Sequence, residues 1–164
     1  MVEVNIEFLT VDQAARAPLV ILKEKEGDSK RILLIWIGEA EAWAIEFCLK
    51  NIPIPRPMTH DLLKNVLDTI SAEVKSICIN AVEESTFHAK VKLEANGETY
   101  EIDSRPSDAL ALALRCEVPI YVEENVLEEN GFLEAEVTPE QTTPPDAKDV
   151  LENLDEEFVK HYTV

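Results

Sequence analysis

The sequence predicts an α+β fold made of two similar β-β-β-α units with additional short helices. Two observations lead there. Segments that read as strands, the first of them cleanly alternating, come in two groups of three, and each group runs into a segment of helical spacing. The helices that close the two groups share a pattern of small residues, Ala40-x-Ala42-x-Ala44 and Ala109-x-Ala111-x-Ala113. An internal duplication explains both, and it requires the same strand order in each half. With 164 residues, 46% of them hydrophobic, the chain is long and apolar enough to bury a core.

The first unit opens at residues 2–9, where Val2, Val4, Ile6 and Phe8 alternate with Glu3, Asn5 and Glu7. Leu19 to Lys25 and Arg31 to Ile37 read as two more strands, joined by a turn at Glu26-Gly27-Asp28-Ser29. Gly38 breaks the strand. Glu39 to Lys50 is predicted helical, with Glu39 and Glu41 near its positive end. Asn51 to Pro57 holds three prolines and is extended. Thr59 is placed to cap a helix whose Leu62, Leu63, Val66, Leu67 and Ile70 form an apolar stripe.

The second unit repeats the plan with strands at Glu73 to Asn80, Thr86 to Glu94 and Thr99 to Asp103. Asn96-Gly97 is a hairpin signal between the last two. A helix follows from Pro106, where proline suits the first turn, to Arg115. Ala109 to Leu114 is apolar all round, so this helix lies at the centre of the fold or under a second subunit. Val118-Pro119-Ile120 answers Ile52-Pro53-Ile54, and Glu124 to Glu129 reads as a short helix ended near Gly131. The domain is thus expected to span 1–137. Residues 138–164 read as an acidic flexible tail, with a short amphipathic helix at Val150, Leu151, Leu154, Phe158 and Val159.

The formal charge is -18, with 13 acidic and 2 basic residues from Glu123 onward and a net of -7 before it. Nucleic-acid binding usually needs a basic face, so this chain needs a local patch, a bound cation or a transient encounter. Four glycines and no phosphate-binding glycine loop argue against a nucleotide-binding fold. Cys48, Cys78 and Cys116 are far apart, which supports neither a zinc site nor a disulfide framework. No apolar run reaches the length of a membrane span, and Met1-Val2-Glu3-Val4-Asn5 lacks the features of a signal peptide. A cytoplasmic protein without a membrane partner is expected.

Polar residues gather at two strand-to-helix junctions. His60-Asp61 stands at a helix start, where the histidine serves as a general base or metal ligand, or the pair simply caps the helix. Asp103 and Asp108 bracket Arg105, either to hold a divalent cation, Mg²⁺ or Mn²⁺, or to pin the turn. Arg56 and Arg105 suit phosphate, with the neighbouring aspartates as internal alternatives. Trp36 and Trp43 read as core or interface residues.

Three ordered blocks carry a resemblance. Ile35-Trp36-Ile37-Gly38-Glu39-Ala40-Glu41-Ala42, Arg56-Pro57-Met58-Thr59-His60-Asp61-Leu62-Leu63 and Ile102-Asp103-Ser104-Arg105-Pro106-Ser107-Asp108-Ala109 resemble the signature blocks of the bifunctional nuclease domain family, over about residues 2–130. The resemblance implies a nuclease acting on RNA, DNA or both. It locates the site at Glu39, Glu41, Arg56, His60, Asp61, Asp103, Arg105, Ser107 and Asp108. On that reading His60, Asp61, Asp103, Arg105 and Asp108 are catalytic, Arg56 and Ser107 bind substrate, and Asp103 with Asp108 binds metal. The alternative is a non-catalytic module, a homodimer whose polar blocks are a structural network.

Overall fold

The protein is described by a computed structural model that covers residues 1–133 apart from 13, 28 and 29. The described chain forms β1 (Val2–Asp12), β2 (Ala17–Glu24), β3 (Arg31–Trp36), α1 (Glu39–Leu49), α2 (Thr59–Thr69), β4 (Glu73–Glu83), β5 (Thr86–Ala95), β6 (Glu98–Ser104), α3 (Pro106–Cys116), β7 (Ile120–Val122), α4 (Glu124–Asn130) and β8 (Phe132–Leu133). The two β-β-β-α units are β1β2β3α1 and β4β5β6α3, as predicted, with α2 and α4 as the additional short helices. The expectations for 138–164 lie outside the described residues.

All eight strands share one sheet in the order β6-β5-β4-β7-β1-β2-β3-β8. Each unit is a meander of consecutive antiparallel strands running outward from the centre. β7 joins them, antiparallel to β1 and parallel to β4. β1 and β4 therefore run in opposite directions on either side of β7, as an approximate two-fold axis normal to the sheet would arrange them. The match between Ile52-Pro53-Ile54 and Val118-Pro119-Ile120 ends at this strand, because only Ile120 enters the sheet.

β1 is longer than its expected 2–9 and carries a bulge. Ile6 pairs with Leu22 and Phe8 with Ile21, so Glu7 is the extra residue. The bulge reverses the alternation. Phe8 packs against Leu19, Ile21, Ile32 and Leu34, whereas Val20, Leu22, Leu33 and Ile35 on the other face of the same strands join the main core.

The main core lies between the sheet and the helices. Ala109 to Ala113 of α3 are at most 3% exposed. α3 packs against α1, α2, β4 and β5 of its own chain, so its all-apolar surface needs no second subunit. Its start is set by Pro106 in the first turn and its end by Glu117, in the left-handed region at φ 55°.

α2 departs from expectation. Its apolar stripe faces outward: Leu62, Leu63, Val66 and Ile70 are 59, 42, 48 and 60% exposed, and only Leu67 packs on the core. Its polar residues His60, Asp61 and Lys64 are turned toward the body and partly buried. Trp36 also lies outside the core, with its indole Nε1 donating to Asp12 Oδ2 at 2.9 Å. Trp43 stands edge-on to Phe47, their ring centroids 5.6 Å apart.

Candidate functional site

Three helix starts meet at one cleft. Its polar lining is Glu41 from α1, Arg56, Thr59 and His60 from the segment that becomes α2, and Arg105 and Asp108 from the start of α3. Pro106 and the proline-rich 53–57 segment fix these junctions. Proline keeps its predecessors extended and then admits a helix. Each helix presents unpaired N–H groups and roughly half a positive charge at its start, so the convergence favours an anion.

Asp108 is the hub. Its Oδ1 is 3.1 Å from His60 Nε2, and Arg105 donates to it in bidentate fashion, Nε to Oδ2 at 2.7 Å and Nη2 to Oδ1 at 3.2 Å. Burial raises the Asp108 carboxyl, but the hydrogen bonds from Arg105 and then His60 outweigh it, and its pKa lies below the usual aspartate range. Arg105 Nη2 also pairs with Glu41 Oε1 at 2.9 Å. Gly38 leaves room for this pair, since a Cβ there would run into the Glu41 carboxylate. With Asp108 ionised, Nε2 of His60 is the donor in this contact. Among the described residues nothing bonds to Nδ1, and Arg56 has neither an ion pair nor a hydrogen bond. The cleft thus holds an oriented imidazole and one uncommitted guanidinium.

Asp61 follows the capping alternative and does not line the cleft. Its Oδ2 accepts from the Met58 backbone N–H at 2.8 Å and caps α2 in place of Thr59. Its Oδ1 accepts from Arg115 Nε. The Arg115 side chain is 5% exposed and donates through Nη1 to the carbonyls of Ala44 and Ala111, both at 2.9 Å. One buried cation thereby ties α1, α2 and α3 together behind His60. The ion pair opens on a second pocket, beside Cys48 and Lys64, and not on the His60 cleft. Ser107 is buried within the first turn of α3 and does not line the cleft, and Glu39 is exposed outside it.

Asp103 does not join the site. It pairs with Lys90 on β5, one position from the Val91–Ile102 pair. Val91 belongs to the core on the helix side, so strand alternation turns Asp103 to the opposite face. The Asp103–Asp108 pair expected to hold Mg²⁺ or Mn²⁺ is therefore not assembled. Among the described residues no three His, Cys, Asp or Glu side chains group as metal ligands, and both oxygens of Asp108 are already engaged. The residues present do not fit the cation.

Arg115 was not among the expected site residues. The one signal in the sequence is a charged residue ending a helix that is otherwise apolar on every side.

The chain matches the bifunctional nuclease domain family over residues 20–135. It is 37% identical over 156 residues to an uncharacterized protein of Mycobacterium tuberculosis (strain H37Rv), covering 95% of this chain and 92% of that one. It is 28% identical over 144 residues to bifunctional nuclease 1 of Oryza sativa subsp. japonica, covering 86% of this chain and 43% of the rice protein. Bifunctional nuclease 1 of Arabidopsis thaliana is 28% identical over 137 residues, with 82% and 42% covered.

Proposed function

Because the chain belongs to the bifunctional nuclease domain family, we propose that the His60 cleft cleaves phosphodiester bonds in nucleic acid. One observation carries the reading. A histidine aligned by an ionised carboxylate stands beside an uncommitted arginine where three helix starts converge. Cleavage requires a proton acceptor for the attacking hydroxyl and positive charge on the phosphate. Nδ1 of His60 is the acceptor, and Asp108 fixes its tautomer and supports the imidazolium that forms. Arg56 and the helix starts receive the phosphate. Arg105, held by Asp108 and Glu41, orients the base. Asp61 and Arg115 position the helix that carries it. The plant relatives bear the name nuclease, which agrees with this reading.

The test is cleavage of labelled single-stranded RNA and DNA by the purified full chain beside His60→Ala and Arg56→Ala. Loss of a positioned base should slow cleavage by about 10²–10⁴-fold. Equal rates in wild type and His60→Ala would overturn the assignment.

A second reading, self-association, is favoured by the outward stripe of α2. It fits a second copy of the same helix. In a two-fold antiparallel pair centred on Val66, Leu62 faces the Ile70 of the copy, and Asp61 and Asp68 lie away from the contact. The two readings are compatible, since the stripe and the cleft occupy different sides of α2.

A further inference from the structure

We propose that the first meander carries a docking surface on the face of the sheet turned away from the helices, and that its occupant is this chain's own segment 147–158. The surface is built from β2 and β3. Leu19, Ile21, Ile32 and Leu34 are 0, 1, 1 and 5% exposed, with Phe8 of β1 packed against them. Strand neighbours shield a side chain from the sides but not from above, so a face this inaccessible lies under another layer. Among the described residues the helices do not provide that layer. The buried alanine, valine, leucine and isoleucine side chains of α1, α3 and α4, and the inward Leu67 of α2, all belong to the main core on the opposite face. The two halves of the sheet differ in this respect. Lys90, Glu101 and Asp103 of the second meander lie on the same side of the sheet as the Leu19 cluster and are exposed. One half of this face is thus solvated, and the other is apolar and covered.

Three observations select the occupant. The described residues end beside the surface: β8 is the strand next to β3, and Phe132 pairs with Ile32, which puts its ring on the same face. β2 lies two strands from β8, about 10 Å at ordinary strand spacing. Residues 134–146 reach about 40 Å when extended, so the segment that follows them has ample length to return. That segment has the matching apolar pattern. Ala147, Leu151, Leu154 and Phe158 recur at the spacing of one helix face, and Asp149, Glu152 and Glu156 fall on the other side. A helix of that length is marginal alone and needs a surface to hold it. Charge agrees as well. Lys23 lies on the covered face, paired across to Ile32, and Asp155 borders the stripe. The surface and the His60 cleft are on opposite sides of the sheet, so the proposal stands independently of the cleavage reading.

The experiment is hydrogen exchange on the full wild-type chain, with hydroxyl-radical footprinting of the wild type beside the double variant Leu151→Asp, Phe158→Asp. The proposal expects the amides of 150–158 to exchange at least about 10-fold more slowly than in an unstructured chain, by the same factor at every protein concentration. In the double variant that protection should disappear. Radical labelling of Phe8, Leu19, Ile21, Ile32 and Leu34 should then rise several-fold, while Val20, Leu22 and Leu33, on the other face of the same strands, keep their wild-type labelling. Unprotected amides at 150–158 in the wild type would overturn the proposal, as would protection that is lost on dilution, which would assign the cover to a second copy. Unchanged labelling of the Leu19 cluster in the variant, or a rise shared equally by Val20, Leu22 and Leu33, would also overturn it. The wild-type exchange needs no variant, so a misfolded mutant does not decide the matter.

Discussion

At the scale of single residues, the site depends on how few of its charges are uncommitted. Arg105 is shared between two carboxylates, and Gly38 makes that sharing possible. Gly38 has an ordinary φ of -76°, so alanine there leaves the backbone unstrained and acts only by displacing Glu41. Gly38→Ala is therefore expected to lower kcat through a less restrained Arg105 while moving Tm by no more than a few degrees. Turnover and thermal unfolding of the same sample check both parts. Far from the cleft, Glu24 is 7% exposed and accepts from both the side chain and the backbone of Arg31, each at 2.7 Å. The Arg31 side-chain bond holds its carboxyl below the ordinary glutamate value of 4.5, against the opposing effect of burial. A depressed folded pKa means the stabilisation is complete above pH 4.5 and is lost as pH falls through the lower folded value. Glu24→Gln should cost about 1–3 kcal/mol at pH 7. It should also flatten the fall in stability below pH 4.5, which denaturant titrations across pH 3–7 would register. The residues legible in the sequence were those whose geometry is local. Arg105, Pro106 and Asp108 lie within one turn, and Arg56 and His60 flank a proline. Asp103 is equally close in sequence, but its direction depends on pairing with Lys90, which no local pattern reveals. Arg115 finds its partner on another helix, and a long-range ion pair leaves no periodic trace.

At the scale of elements, α2 is the exception that periodicity could not resolve. A stripe at helical spacing shows that a helix has an apolar face, but not which way that face points. Here the chemistry of the cleft claims the inner side: His60 must reach Asp108 and Asp61 must reach Arg115, so the leucines turn outward. Burying that stripe against a second copy predicts that Val66→Glu shifts the protein to monomer at micromolar concentration. It should leave Tm within a few degrees, because Val66 is half exposed in the single chain. Sedimentation velocity on the variant and the wild type would check this, and a wild type that is monomeric throughout would end the self-association reading. The strands show a similar limit. Six were legible, and β7 and β8 were not, because three and two residues are too few for a period to register. The bulge at Glu7 escaped for the opposite reason: an unbroken alternation from Val2 to Phe8 concealed a change of face.

At the scale of the whole molecule, charge and topology set the terms of function. An acidic body with one uncommitted cation in its cleft should hold nucleic acid weakly and with little counterion release. A single phosphate contact corresponds to a slope of about -0.7 to -0.9 in log K against log salt. Fluorescence anisotropy with a single-stranded RNA from 50 to 200 mM salt would measure it. A slope several times steeper would point to a basic track elsewhere on the surface.

The central strand has one more consequence, for the order in which the molecule assembles. Among the described residues no strand of one meander pairs directly with a strand of the other, and the ladder between them passes through the three residues of β7. Val2 is paired with Val122. A chain emerging from a ribosome can therefore zip each meander as soon as its own strands are out, since those contacts are local and fast. The sheet itself cannot close until almost the whole domain has been synthesised. Until then the inner edges of β1 and β4 remain open to pairing with other chains. The short strand that alternation could not reveal is thus the stitch that joins the two meanders. Its insertion ends the period in which the nascent protein is most exposed to misassembly.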